Sequence, residues 1–423
     1  MAEFSPMMQH YLKTKEEYSD CILFYRLGDF YEMFFDDAIT VSRELEITLT
    51  GKDCGQAERA PMAGIPFHAA ENYIARLISK GYKVAICEQM EDPKLAKGMV
   101  KREVVRVVTP GTVIESNLLE EKKNNYIMSI YKTGIYYGLG ICDVSTGDFY
   151  ATQICENNNF SKLLDEISRY SPSEIIVNKM MFETKSEISK IKDRFKVYVS
   201  LEKEENFSDE NELLLSMYNV ISSSKIKNIQ LKEVKEQKEE KNADFQIKTK
   251  QQIQEIDNKN LIVPAINALI TYLTETQKTN LDHINTIKIY SITQYMSLDI
   301  NARRNLELTE KMRDKSKKGT LLWVLDKTCT SMGGRLLRRW INDPLIDVNE
   351  INKRLDSVNE LKNSVVLKGD IIDSLKKVYD IERLAGKISY GNANGRDLIS
   401  LKNSVKQLPE IKQILSKTES GLL

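Results

Sequence analysis

The sequence predicts a multidomain chain in which two mixed α/β domains precede an all-α one. Three observations carry this expectation. At 423 residues the chain is too long for one ordinary hydrophobic core, so two or three domains are expected. Up to about residue 177, short apolar runs alternate with stretches of helical period. From Leu261 onward the pattern is helical, after a mixed-charge stretch over 202–258 that has little aromatic content and reads as a solvated helix or loose insertion. The expected domains are 1–115, 126–250 (ending in the charged stretch) and 258–423.

Taken in order, Ser5-Pro6 is a helix start, with Pro in the first turn. Residues 21–25 are apolar and aromatic-rich, a buried strand. Gly28 then supplies a turn, and Asp29 stands where a helix takes its N-cap. Phe30, Phe34, Ala38, Val41 and Leu45 recur at spacings of four, four, three and four, which predicts a helix beginning at the aromatic Phe30. Residues 45–50 alternate like a strand, 51–58 are a polar loop edged by Lys52 and Arg59, and 61–68 are rigid and turn-rich. A helix through Tyr73, Leu77 and Ile78 closes at Gly81, and 84–87 and 104–108 read as strands. After a polar linker over 118–125, residues 136–150 form two strands around a Ser-Thr-Gly turn. A helix over 160–170 and a strand over 175–177 follow. Ile262, Ile266, Leu269 and Leu273 share one helical stripe, and Leu321, Leu322 and Leu325 form an apolar face. The Asp343-Pro344-Leu345 segment breaks the helices, and 349–383 and 396–417 are charged amphipathic helices. Lys315 to Lys318 reads as a solvated basic loop, and Arg335, Arg338 and Arg339 are expected to form inter-helix ion pairs.

Composition narrows the function classes. The 61 Lys+Arg balance 61 Asp+Glu, so any nucleic-acid contact must be local rather than a broad basic surface. Six scattered cysteines form no Cys-x-x-Cys pair and have no histidine at zinc-ligand spacing, so reduced thiols and no metal site are expected. The N-terminal residues lack the features of a signal peptide, and no apolar run approaches membrane-spanning length. The chain therefore reads as soluble and intracellular, without a membrane partner. Gly386 and Gly391 have P-loop spacing, but Asn392-Ala393 stand where Lys-Ser/Thr are required. No Walker A sequence is found and no catalytic residues are assigned, so the chain is not expected to be an enzyme.

The run Gly28-Asp29-Phe30-Tyr31-Glu32 resembles the MutS DNA mismatch-repair family, whose Phe-x-Glu motif lies in a Gly-Asp-Phe-Tyr-Glu context near the N-terminus. The resemblance continues through 61–68, 85–89, 104–112, 136–150, 297–308 and 319–340, and leaves out about 202–258. It implies a mixed α/β mismatch-recognition domain, a ribonuclease H-like α/β connector and an all-α core. That core would be incomplete, with the chain stopping at Leu423 before the family's DNA clamp and nucleotide domain. It further implies that Phe30 stacks on a mispaired base from the minor groove while Glu32 hydrogen-bonds that base. Lys52, His68 and Arg106 are secondary candidates for backbone or groove contact.

The implied partners are double-stranded DNA with mismatches or small bulges, a second copy of the chain, and MutL. ATP and Mg²⁺ would belong to the missing domain, and the setting would be the bacterial cytoplasm, associated with the nucleoid. An inserted apolar wedge unstacks base steps at about a few kcal/mol each. A mispaired step is already poorly stacked, so deformability discriminates there. Other readings stand beside these. Asp29 and Glu32 have capping-box spacing, and Phe30 has the place of a first core residue. Lys52 and His68 read equally as solvated or structural side chains, and Arg106, inside a strand, points either to DNA or to an internal carboxylate. A different class of function, a Mg²⁺-dependent structure-specific nuclease, would use Asp143 and Asp148.

Overall fold

The computed structural model describes residues 4–91, 98–156, 160–208, 219–222, 261–279 and 281–423, so most of the charged 202–258 stretch lies outside the described residues. The chain divides into two compact units, Met1–Leu119 with Tyr272–Asn280 and Glu120–Thr271 with Leu281–Leu423.

In the first unit the opening helix α1 (Pro6–Glu17) starts at the expected Ser-Pro step. The apolar run becomes β1 (Cys21–Leu27), which turns at Gly28, φ +58°, into the antiparallel β2 (Phe30–Phe34). Here the expected helix is corrected: residues 30–34 are strand, and α2 occupies only Phe35–Leu45. The reason is pairing on both sides, with β1 and with β4 (Ala60–Pro66), which overrides the chance four-residue spacing of Phe30, Phe34 and Ala38. Glu32, on a strand and hydrogen-bonded to Lys52, is no helix-capping group.

Residues 45–50 also differ from expectation. The helix runs to Leu45, Glu46 caps it in the left-handed region, and only Thr50–Lys52 pairs, as β3. The turn-rich 61–68 stretch is mostly β4. Its Pro61 lies beyond the end of the β2 pairing, and its Pro66 is the last strand residue. Helix α3 (Ala70–Ser79) and strands β5 (Lys83–Gln89) and β6 (Arg102–Val108) follow as read. The sheet order is β3-β4-β2-β1-β5-β6.

Alternation assigns this sheet two faces. Ile22, Phe24, Tyr31, Met33, Ala63 and Ile65 face α2 and α3, packing on Val41, Leu45, Ile74 and Leu77. Cys21, Leu23, Tyr25, Phe34, Ala85 and Cys87 face α1, packing on Met8 and Tyr11. Buried Asp37 of α2 ties these layers together by accepting from Leu23 N (2.9 Å) and Lys15 Nζ (2.9 Å).

The second unit is built on a seven-stranded sheet. Its centre is the meander β7 (Ile127–Thr133), β8 (Tyr136–Asp143) and β9 (Asp148–Cys155). Helix α4 (Ser161–Tyr170), β10 (Glu174–Val177), α5 (Lys179–Glu183), α6 (Lys185–Phe195) and β11 (Tyr198–Leu201) follow. Then come β12 (Asn219–Ser222), α7 (Ile262–Gln277), which belongs to this unit as far as Thr271, and β13 (Thr286–Ile289). The order is β11-β10-β7-β8-β9-β13-β12. Leu163, Ile167, Ile188 and Ile191 cover one face of this sheet. On β8, a Cβ at Gly138 would lie 1.8 Å from Leu261 O and one at Gly140 3.1 Å from Ala265 O, so these glycines let the α7 backbone approach. The sheet therefore extends to Ile289, and this stretch, expected within the helical 258–423 region, pairs with β9 instead.

Beyond it are α8 (Ile300–Asn305), α9 (Leu321–Leu325), α10 (Ser331–Asn342), α11 (Val348–Asn363), α12 (Val365–Leu375), α13 (Ile381–Ser389) and α14 (Gly395–Leu415). Side chains of Asp299, Thr320, Thr330, Asp347, Asp380 and Asn394 accept from first-turn amides, which sets where six of them begin. Gly386, half of the rejected P-loop pair, is a packing position inside α13, where a Cβ would meet Ser145 O at 2.8 Å.

Candidate nucleic-acid interface

The functional candidates gather where β1 ends and β2 begins. Along β2, Tyr31 and Met33 anchor in the core, while Phe30, Glu32 and Phe34 share the opposite face. Helix α1 covers that face at Phe34, which is 1% exposed, and leaves it open toward Phe30, which is 46% exposed. The Phe30 ring is thus held out in solvent by a strand whose alternate residues are locked. Gly64, opposite Glu32 on β4, keeps this face free of any side chain between the two. A Cβ there would stand 3.8 Å from Glu32 Cγ and 4.0 Å from Phe30 Cδ1.

Glu32 and Lys52 come together. Lys52 Nζ donates to Glu32 Oε2 at 2.5 Å, with the carboxylate the more buried of the two. Across β1, Tyr25 lies opposite Glu32, and its hydroxyl is 2.9 Å from Nδ1 of His10 on α1. Partial burial, aided by the charges of Arg102 and Lys13, holds the His10 imidazole below its ordinary pKa. Arg102 is itself buried, donating to Arg26 O (2.9 Å) and Val100 O (2.8 Å) beneath the hairpin tip.

His68 is exposed at this same edge, its ring 5.8 Å from that of Phe67. Arg106 is not there. It is buried, with Nη1 on Glu115 (2.5 Å), Nε on Gln277 Oε1 (3.1 Å) and Nη2 on Thr112 O (3.1 Å). The structure thus places Arg106 on an internal carboxylate, Glu115, and away from the hairpin tip.

Two residues at this edge went unnoticed in the sequence. Phe67 is 41% exposed, and the Arg26 guanidinium lies over its ring at 3.6 Å. Phe67 N also donates to Asp29 O (3.0 Å), which fixes the ring beside the hairpin. An aromatic directly after Pro66 was the available signal, but only the strand order brings it next to Phe30. Arg26 lies 3.8 Å from Glu88 and Lys52 pairs with Glu32, so these two cations at the edge are compensated locally. Such a face suits probing a groove by shape more than holding phosphates by charge.

The nuclease residues have other occupations. Asp143 is fully buried and accepts from Ser145 N, Ser145 Oγ, Asn124 Nδ2 and Asn125 N. Asp148 is held by Arg339, Lys288 and Tyr150. Among the described residues no group of three His, Cys, Asp or Glu is placed to hold a metal ion. No helix among them is long and apolar enough to cross a membrane.

Comparison with known proteins gives a consistent result. Residues 5–117 match the family described as MutS domain I, 125–232 MutS domain II, and 301–423 MutS domain III. The chain is 56% identical to the DNA mismatch repair protein MutS of Ruminiclostridium cellulolyticum over 99% of its own length and 45% of that protein. It is 53% identical to the protein of the same name from Acetivibrio thermocellus, covering 100% of this chain and 45% of that one. For Clostridium tetani the identity is 49%, over 99% and 44%. The chain thus spans less than half the length of these curated relatives.

Proposed function

The chain belongs to the MutS family of DNA mismatch repair proteins, and on that premise we propose that its first unit tests duplex DNA for mispaired or singly bulged bases. Phe30 enters the minor groove and stacks on the weak base, and Glu32 accepts a hydrogen bond from it. Lys52 neutralises the Glu32 carboxylate, which would otherwise face phosphates uncompensated. The observation that carries this reading is the half-exposed Phe30 ring on a strand pinned by Tyr31 and Met33. A ring so held transmits force to a base step instead of yielding to it. Insertion costs less where stacking is already broken, and that difference is the discrimination.

For the longer protein we propose, from the family, a homodimer that encircles DNA with one wedge engaged, followed by MutL. ATP and Mg²⁺ would act in the sequence this chain does not include. The second unit's sheet is read as the ribonuclease H-like connector and the helices from Ile300 onward as the core, with the domain boundary between Ile289 and Ile300. The cytoplasm, in association with the nucleoid, is the proposed setting.

The test is Phe30→Ala in competition binding with matched and single-mismatch duplexes. The preference for the mismatch is expected to vanish while weak, salt-sensitive binding remains. Equal loss on both duplexes would remove the wedge role.

A further inference from the structure

We propose that a cleft in the second unit, remote from any assigned role, binds a small oligophosphate anion. The cleft holds about 650 Å³ and lies among the ends of α4 and α6, helix α8, the 308–315 loop and helix α10. Ten lysines and arginines line it against three carboxylates, so its charge is strongly positive.

Some of that charge is neutralised. Arg169 bonds Asp343 at 2.7 Å, Arg335 makes a two-pronged contact to Asp380, and Arg339 meets Asp148 at 3.3 Å. The carbonyl ends of α4 and α6 offset about half a charge each. Two buried or half-buried arginines stay undercompensated. Among the described residues Arg303 donates to main-chain oxygens, Leu298 O at 3.1 Å and Asn342 O at 2.7 Å. Among the described residues the carboxylate paired with Arg338 is Glu310, at 3.8 Å, beyond hydrogen-bond reach and shared with Lys123. Burial holds both guanidinium groups below the usual arginine pKa. The Nε donors of Arg335, Arg338 and Arg339, all on α10, are buried with no acceptor among the described residues. A buried donor without an acceptor is costly, and a bound anion is one of the few things that relieves it.

The ligand class follows from size and donor type. Guanidinium forks match phosphate oxygens two at a time. Several undercompensated cations spread over one cleft call for an anion with several charges. The volume is that of a small-molecule site, typically about 300–1,000 Å³, and far too small for a duplex.

The experiment is isothermal titration of the 423-residue chain with inorganic tripolyphosphate at fixed ionic strength. A saturable one-to-one isotherm is expected. Arg338→Gln and the exposed Arg304→Glu should each weaken it by about tenfold, the worth of one charge-assisted hydrogen bond. Arg304 is on the solvent side, so its variant keeps the question answerable if the loss of Arg338 impairs folding. Arg396→Glu, an exposed position on α14 away from the cleft lining, makes the same charge change as Arg304→Glu and should leave affinity unaltered. Absence of saturable binding, or an equal loss in Arg396→Glu, overturns the proposal. So does binding of a short oligothymidylate with none of tripolyphosphate, which would assign the cleft to a nucleic-acid strand.

Discussion

Lys52→Gln separates two jobs a lysine beside DNA performs: contacting a phosphate, or holding a neighbouring side chain. The structure favours the second, since Nζ is 2.5 Å from Glu32 Oε2. Side-chain exposures of 34% for Lys52 and 16% for Glu32 place the pair between surface and interior. Exposed pairs contribute roughly 0.2–1 kcal/mol, and the upper end, about 1 kcal/mol, suits this geometry. Loss of the pair frees the carboxylate to swing from its proposed base-reading position. Mismatch preference is then expected to fall by the same amount, about fivefold. The slope of log affinity against log salt should not change, because no phosphate contact has been lost. A lysine bound to phosphate behaves otherwise: its removal lowers that slope by about 0.9 and weakens matched and mismatched duplexes alike. Fluorescence anisotropy competition at four salt concentrations distinguishes the two. The double variant Glu32→Gln/Lys52→Gln should be no worse than Glu32→Gln alone. A reduced salt slope with preference intact would refute the pairing role.

Two further outcomes are expected. Gly138→Ala forces a Cβ to within 1.8 Å of Leu261 O, so α7 must move off the sheet. A loss of about 1–3 kcal/mol or more is expected in urea unfolding, larger than for Gly140→Ala, where the gap is 3.1 Å; equal midpoints for the two would refute the close approach. Stability should also fall as pH drops below about 6.5, the ordinary histidine value. Burial and nearby cations depress His10 in the folded state, so the unfolded chain takes up the proton first. That contribution is complete above about 6.5 and is lost as pH falls toward the folded value. His10→Gln should flatten the drop in urea midpoint between pH 7.5 and 5.5, and an unchanged drop would exclude His10.

The elements legible in the sequence were those whose pattern is local. Residues 21–25 announced a strand because five consecutive apolar groups are buried whichever face they point to. The hairpin around Gly147 and the helix over Ser161–Tyr170 were equally self-contained. What failed depended on distant partners. Strand β2 carries a spacing compatible with helix, and only β1 and β4 on its flanks decide the matter. The three residues of β3 exist as strand because β4 is beside them. At the candidate site, Phe30 and Glu32 were read from a motif, but the Lys52 partnership required the sheet. Arg106 shows the converse: a cation within an apolar strand signals a buried partner as readily as an outward contact. Its partners, Glu115 and Gln277, are 9 and 171 positions away.

The locking of β2 limits how this segment changes length. Tyr31 and Met33 point inward while Phe30 and Glu32 point outward, and the register with β1 and β4 holds both sets. Inserting or deleting a single amino acid between Gly28 and Tyr31 would reverse every side chain beyond it in the strand, sending an acid inward and two large apolar groups into water. Evolution and protein engineers alike are therefore confined here to substitutions, or to paired changes of length, and the reach of the proposed probe is to be tuned by choice of ring.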